Sequence, residues 1–331
     1  MPKWFKFLIF EDVIGNEIKQ LTNVYHRWIK SNKVVYSVGD EINVKYLQVK
    51  YKKPVLYYET EFYRFVVVYD KELTSIPFEP IEGNKLLIGN SLDGICSIKI
   101  NTEMNHVLLG GCTGSGKSSL AKVMITNLIL NEIEVLIHDN KSSDDYDIFK
   151  RHCKLTKGVE EFETFLNQVE TRCHKRMSGK ESKSPLIIII DEIFALKLEK
   201  SKAKLYDRLA LLLSTARSAN IHFVIISQRM TTEILPSSIT THCSIRVCLQ
   251  SSTKQESQNT IYSDNAYFIN NKGRGYLSIN GRLTLIQSFY LTDSEIDKLL
   301  PIVCDNLEQT VKQTVKNYII GDDLHEINGE R

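Results

Sequence analysis

Residues 111 to 118 read Gly-Cys-Thr-Gly-Ser-Gly-Lys-Ser and fill the phosphate-binding template G-x-x-x-x-G-K-[ST] at every fixed position. Each residue type has a task in that chemistry. Gly111, Gly114 and Gly116 let backbone approach a polyphosphate with no Cβ in the way. The amides from Gly111, Cys112, Thr113 and Ser115 through Ser119 would face the ligand at a helix N-terminus, where N–H dipoles favour an anion. Lys117 would reach the β- and γ-phosphates, and the Ser118 hydroxyl would ligate Mg²⁺. Further along, Ile187-Ile188-Ile189-Ile190 ends in Asp191-Glu192. Two carboxylates at a buried strand tip cost desolvation unless a cation answers them. Asp191 would hold Mg²⁺, directly or through water, and Glu192 would polarise the attacking water. A later strand ends Ser227-Gln228, where Gln228 would sense a γ-phosphate by hydrogen bonding to it or to the lytic water. The set predicts a nucleoside triphosphate site with hydrolytic chemistry.

These residues can act together only if strands deliver them to one edge of a sheet. His106-Val107-Leu108-Leu109 reads as a short buried strand, and Ser119 to Leu130 carries helical spacing through Leu120, Val123, Met124, Leu128 and Ile129. From there strands and helices alternate. Val135 to Asp139, Leu186 to Ile190, Ile221 to Ser227 and Ser244 to Leu249 read as strands; Val159 to Met177 and Ala203 to Ala219 read as helices. Five apolar residues in a row at 186–190 fit a strand covered on both faces. The alternation predicts an α/β fold with a parallel sheet flanked by helices and a ligand at the carboxyl ends of its strands. Residues 1–78 are different, rich in Tyr, Phe, Val and Lys, and predict a small α+β N-terminal domain. Within it, Ile42 to Val49 and Val55 to Val68 read as strands and Tyr25 to Ile29 as helical. Pro77, Pro80 and Gly83 mark a linker, followed by a hairpin of Leu86–Gly89 and Ile95–Ile98. The nucleotide domain is expected over 79–292, with a helical tail over 293–331 in which Asp293 to Leu300 and Ile302 to Tyr318 form helices.

The 331 residues carry 42 Lys plus Arg against 40 Asp plus Glu, so no global basic excess points to nucleic acid. Local runs do: Lys150-Arg151-His152-Cys153-Lys154, and Arg172-Cys173-His174-Lys175-Arg176 with Lys180 and Lys183. Phosphate contacts need only positive charge, so these predict sequence-tolerant binding to a polyanion. The 7 cysteines are scattered without a C-x-x-C pair, which speaks against a metal or disulfide framework and for a reduced, cytoplasmic protein. No run approaches the roughly 18 apolar residues needed to span a bilayer. Met1 to Phe10 is apolar, but Glu11-Asp12 follows at once, so a first strand or buried helix is expected there rather than a signal peptide.

His106 to Ser118 resembles the ATP loop of the FtsK/SpoIIIE family of DNA-pumping ATPases, as do Ala216-Arg217-Ser218-Ala219-Asn220-Ile221-His222 and Ile226-Ser227-Gln228-Arg229. Leu136 to Lys141 is similar to the family's strand ending Asp-Pro-Lys, with Asn140 in place of the proline. Arg246 to Leu249 and Ser252 to Ser257 match a later segment, and Gly273-Arg274-Gly275-Tyr276-Leu277 a glycine-rich hairpin. The resemblance covers roughly residues 85 to 290. It implies a RecA-like P-loop NTPase that assembles as a ring, normally a hexamer, around double-stranded DNA. ATP with Mg²⁺ would sit between subunits, and an arginine from the neighbour, Arg217 or Arg246 with Arg217 preferred, would complete the site. The short form resembles members carried by plasmids and conjugative elements, which implies coupling of DNA to a membrane-anchored transfer machine or to replication. The alternative is a secretion-system ATPase that moves protein cargo on the same fold.

Overall fold

The computed structural model describes residues 14–29, 33–51, 53, 55–59, 62–69, 73–198 and 203–300. The expected element at Met1–Phe10 and the expected helix at Ile302–Tyr318 lie outside the described residues. The first sheet is antiparallel, in the order β1-β2-β4-β3, from β1 (Val24–Ile29), β2 (Lys33–Val38), β3 (Val55–Glu59) and β4 (Arg64–Tyr69). One face, through Val34, Tyr36, Val38, Val66 and Val68, packs on Ile14 and Ile18 of helix α1 (residues 14–21) and Leu47 of α2 (Val44–Tyr51).

Two expectations fail in this region. The segment read as a strand from Ile42 is mostly α2. The alternation of Val44 and Tyr46 with Lys45 looks like period two, yet Leu47 is buried and Tyr46 is 47% exposed, so burial follows the helical turn. The segment at Tyr25–Ile29, read as helical, is edge strand β1, held by antiparallel pairing with β2 that overrides local signals. The long strand-like run from Val55 to Val68 is two strands, β3 and β4, paired with each other.

The second sheet has ten strands, in the order β6-β5-β14-β13-β12-β7-β11-β10-β8-β9. Its parallel half is β7 (Val107–Gly110), β8 (Glu134–Asp139), β9 (Lys154–Lys157), β10 (Leu186–Asp191), β11 (Ile221–Ser227) and β12 (Ile245–Leu249). The antiparallel half is the hairpin β5 (Lys85–Ser91) and β6 (Gly94–Lys99) with the hairpin β13 (Arg274–Ile279) and β14 (Arg282–Gln287). This is a RecA-like P-loop NTPase fold with an added antiparallel sheet. Alternate residues of each central strand enter opposite cores. Ile187, Ile189, Val224 and Ile226 pack on α3 (Lys117–Leu130), whereas Ile188, Ile190, Phe223 and Ile225 pack under α4 (Phe162–Met177), α5 (Phe194–Leu198) and α6 (Ala203–Ala216). That is why these strands read as unbroken apolar runs. Three shorter helices complete the unit: α7 (Ser237–Thr240), α8 (Lys254–Ile261) and α9 (Asp293–Leu299). Edge strand β9, four residues with two lysines, carries no legible strand signal.

The sheets meet. Leu56, Val67 and Tyr69 of the first pack against Cys248 and Tyr276 of the second and against Ile261, Ala266 and Ile269 at and beyond the end of α8. Lys33 adds an ion pair to Asp93 at 2.6 Å. Register aligns the tips of the central strands: Asp191 lies opposite Asp139, and Ser227 opposite Gly110.

Candidate nucleotide-binding site

β7 delivers Gly110 at its tip, and the loop 111–116 then turns into α3. Gly114 at φ +78° and Gly116 at φ +107° lie in the region that side chains rarely adopt. Gly116 is also crowded, because a Cβ there would come within 3.2 Å of the Gly273 nitrogen. The loop is bound from outside by Cys112 N–H donating to Gln250 O at 2.7 Å and Gly273 N–H donating to Ser115 O at 2.8 Å. Lys117 is 7% exposed and folds back on the loop, donating to Gly111 O at 2.8 Å and Cys112 O at 3.0 Å. Burial pulls its ammonium below the usual lysine range, against the opposing pull of Glu192 and Asp191.

The acidic pair lies at the tip of β10. Asp191 is buried, and its Oδ2 accepts from the Tyr146 hydroxyl at 2.8 Å. Burial pushes its carboxyl up to about 6, Asp139 adds to the rise, and the Tyr146 bond and Lys141 oppose it. Tyr146, itself fully buried, is driven well above the usual tyrosine range, so it remains a donor. Glu192 adopts φ +52°, uncommon outside glycine. Its Oε1 accepts from Gln228 N–H at 3.4 Å, and Lys141 Nζ lies 2.8 Å from Oε2, close enough for an ion pair but off the hydrogen-bonding direction. Gln228 in turn accepts from the Thr113 hydroxyl at 3.0 Å, which joins the β11 tip to the phosphate loop.

A cleft of about 260 Å³ gathers these groups: Thr113, Gly114, Lys117, Ser118, Asp191 and Gln228 line it. So do Lys141, Asp145 and Lys272, which residue-level reading did not single out as site residues. For Lys141 a signal existed, the Asp-x-Lys of the second strand. Asp139 accepts from Lys141 N–H at 2.9 Å and Ser143 N–H at 2.7 Å, a turn that places Lys141 beside Glu192. Asn140, at the position where the resemblance leads one to expect proline, donates from its side chain to Asp191 O at 3.0 Å, a bond proline could not make. Tyr146 and Lys272 come from a loop and a distant hairpin, and no local pattern marks them.

The residues fit a Mg²⁺-bound triphosphate. Glu192 Oε2 and Ser115 Oγ are buried without hydrogen-bond partners, Lys117 donates only to neutral carbonyls, and burial keeps the Asp191 carboxyl raised although Lys141 opposes it. A hydroxyl and a carboxylate are hard oxygen donors of the kind Mg²⁺ takes, in company with phosphate oxygens. Among the described residues no group of three or more His, Cys, Asp or Glu could hold a metal by itself.

Known proteins share both sequence and fold. Residues 107–251 match the family described as ATPase family associated with various cellular activities (AAA). The DNA translocase FtsK of Staphylococcus epidermidis is 24% identical over 274 residues, covering 70% of this chain and 32% of the relative. That of Listeria monocytogenes is 24% identical over 289 residues, covering 76% of this chain and 37% of the relative. This chain is similar in sequence to FtsK-type P-loop ATPases. It spans about a third of the length of the curated relatives it matches. A structure of the pCW3 conjugation coupling protein TcpA, monomer form with ATPγS, superposes on this ATPase with a TM-score of 0.65 at 15% identity, covering 88% of this chain and 98% of that one. The type VII secretion ATPase EccC of Thermomonospora curvata gives a TM-score of 0.56 at 21% identity, over 66% of this chain and 31% of that one.

The two arginines named as donors to a neighbour part company. Arg246 is 4% exposed and gives its guanidinium to the carbonyls of Cys243, Asn259, Thr260 and Thr240, with the Tyr262 ring 4.3 Å away. Four of its five N–H groups are thus spent within the chain. Arg217 is exposed and hydrogen-bonds Asn105, at the edge of the sheet opposite its own cleft. The basic runs also divide. Arg172 pairs with Glu134 and Glu181, Arg176 is buried against Glu181, Ser184 O and Ala219 O, and Lys150 pairs with Asp147. Arg151, Lys175 and Lys180 are exposed and make no ion pair among the described residues.

Proposed function

We propose that this ATPase hydrolyses Mg²⁺-ATP to drive double-stranded DNA, as a translocase or as the coupling ATPase of a plasmid or conjugative element. The observation that carries the reading is the cleft that Lys117, Ser118, Asp191 and Gln228 line at the phosphate loop, with Glu192 joined to it through the Gln228 N–H. Lys117 would leave the loop carbonyls for the β- and γ-phosphates. Ser118 and Asp191 would hold Mg²⁺, which neutralises phosphate charge when bound. Glu192 accepts a proton from the attacking water, its oxygen bonds to the γ-phosphorus, and the bond to the β-bridging oxygen breaks with ADP as leaving group. Gln228, tied to Thr113 in this state, would exchange that bond for the γ-phosphate and so report its presence. Arg217, which faces away from its own cleft, would complete the site of a neighbour in a ring, the hexamer that the resemblance implies.

DNA as cargo is supported by the FtsK relatives, which are named DNA translocases. The similarity to EccC, named a secretion ATPase, favours protein cargo as the second reading. Among the described residues no helix is long and apolar enough to cross a membrane. A cytoplasmic motor with a membrane-anchored partner, built of an N-terminal domain over 1–78, the ATPase over 79–292 and a tail over 293–331, is part of this proposal. Phosphate-release assays with and without duplex DNA test the reading. Lys117→Ala should abolish turnover, and Glu192→Gln should slow it about 10²–10⁴-fold while ATP still binds. Duplex DNA should stimulate the wild type; hydrolysis indifferent to DNA at every salt concentration would transfer the case to protein cargo.

A further inference from the structure

Three ammonium groups line the cleft, and two have partners: Lys117 on the loop carbonyls and Lys141 on Glu192. The third, Lys272, is exposed, and among the described residues its Nζ has no hydrogen bond or ion pair. Unlike the others it comes from the antiparallel half of the sheet, from the turn that enters β13. That turn is fixed on both sides of the residue. Gln287 Nε2 donates to Lys272 O at 3.1 Å, Ser288 N–H to Gly273 O at 2.7 Å, and Gly273 N–H to Ser115 O at 2.8 Å. Gly273 holds φ +72°, and its nitrogen lies 3.2 Å from where a Cβ of Gly116 would stand. The root of the Lys272 side chain is thus clamped to the outer wall of the phosphate loop, and only its charged end is left unpartnered.

An unpaired ammonium on a rigid base beside an anion-binding loop is matched by an anion that the loop itself attracts. We propose that Lys272 is a second phosphate-binding cation of the ATP site, supplied within the same chain by the β13–β14 hairpin. The inference rests on the cleft being that site. It gives the hairpin a role beyond extending the sheet: the segment that seals the phosphate loop also contributes charge to its ligand. A charge-assisted bond of this kind is ordinarily worth one to two powers of ten in affinity.

Equilibrium binding of a fluorescent ATP analogue with Mg²⁺ to wild type, Lys272→Ala, Lys272→Gln and Lys272→Arg provides the test, with thermal melts of each nucleotide-free protein. Lys272→Ala and Lys272→Gln should raise Kd about tenfold or more, Lys272→Arg should stay within about threefold, and all four should melt alike. The salt dependence of binding should be shallower in the two neutral variants. Unchanged Kd in Lys272→Ala, with the wild type binding normally, would overturn the role of Lys272 alone. Equal loss in Lys272→Arg together with a lowered melting temperature would overturn it too, in favour of a purely structural turn. A wild type that binds no nucleotide would remove the ATP site itself, a result distinguishable from either.

Discussion

Asp191 is buried beside another acid, and nothing but a tyrosine hydroxyl and a lysine offsets the cost. Its carboxyl titrates at about 6, against an ordinary value of 3.8. Between those values the folded chain keeps a proton that the unfolded chain releases, so stability falls as pH rises through the window, and the full cost is present above 6. Removing the charge should therefore stabilise the nucleotide-free protein. Asp191→Asn is expected to melt about 2–4 °C higher than wild type at pH 7.5, with the gain vanishing near pH 4. The same variant should lose Mg²⁺-dependent ATP binding. In the wild type, protons compete with Mg²⁺ for the carboxylate, so Kd for Mg²⁺-ATP should rise about tenfold per pH unit below 6. Scanning calorimetry at the two pH values decides the first point; a variant that melts lower at both would mean that the carboxylate is satisfied without a cation.

Strand tips, helices and hairpins differ in how plainly the sequence announces them. The parallel strands were readable because residues such as Ile187 to Ile190 fill two cores at once, which leaves no polar face to confuse the period. Asp191, Glu192 and Gln228 followed from them, since strand tips in such a sheet share one edge. The N-terminal sheet was harder. In α2, Tyr46 is exposed and Lys45 interrupts the apolar spacing, so an eight-residue helix looks like an alternating strand. Tyr146 and Lys272 reach the cleft by tertiary placement alone. Packing between the two sheets was equally silent, because Val67 and Tyr69 alternate with Val66 and Val68 and every residue of β4 from Val66 to Tyr69 is buried. One set faces its own helices and the other the ATPase. That division predicts the effect of Val67→Asp, which places an unpaired charge in the contact between sheets. Limited proteolysis should cut first in the segment 70–85 and release the ATPase unit, while its nucleotide affinity stays within about twofold of wild type. A cleavage pattern identical to wild type would show that Val67 does not hold the sheets together.

At the scale of the whole molecule, a net charge of +2 offers DNA no general field, so attraction must come from groups left over after internal pairing. The structure makes that subtraction. Arg172, Arg176 and Lys150, which gave the sequence its densest basic runs, are consumed by Glu134, Glu181, Asp147 and backbone carbonyls. Lys175 and Lys180 survive, drawn together at the end of α4 by the Lys180 N–H donating to Lys175 O at 2.8 Å. Lys183 and Arg217 stand on the same side, Lys183 donating to Ser218 O at 3.1 Å, one residue beyond Arg217. This edge is opposite the phosphate loop, so a polyanion held there would not compete with ATP for Lys117 or Lys141. If duplex DNA rests on it, Lys175→Glu with Lys180→Glu should weaken DNA binding and reduce DNA stimulation. Basal hydrolysis should stay near the wild-type rate. Every DNA phosphate no longer neutralised by a lysine should lower the slope of log K against log salt by about 0.9, so the pair should lower it by roughly 2. A fluorescence-anisotropy salt series on both proteins reads that slope directly, and equal slopes would move the DNA path to another face of the ATPase.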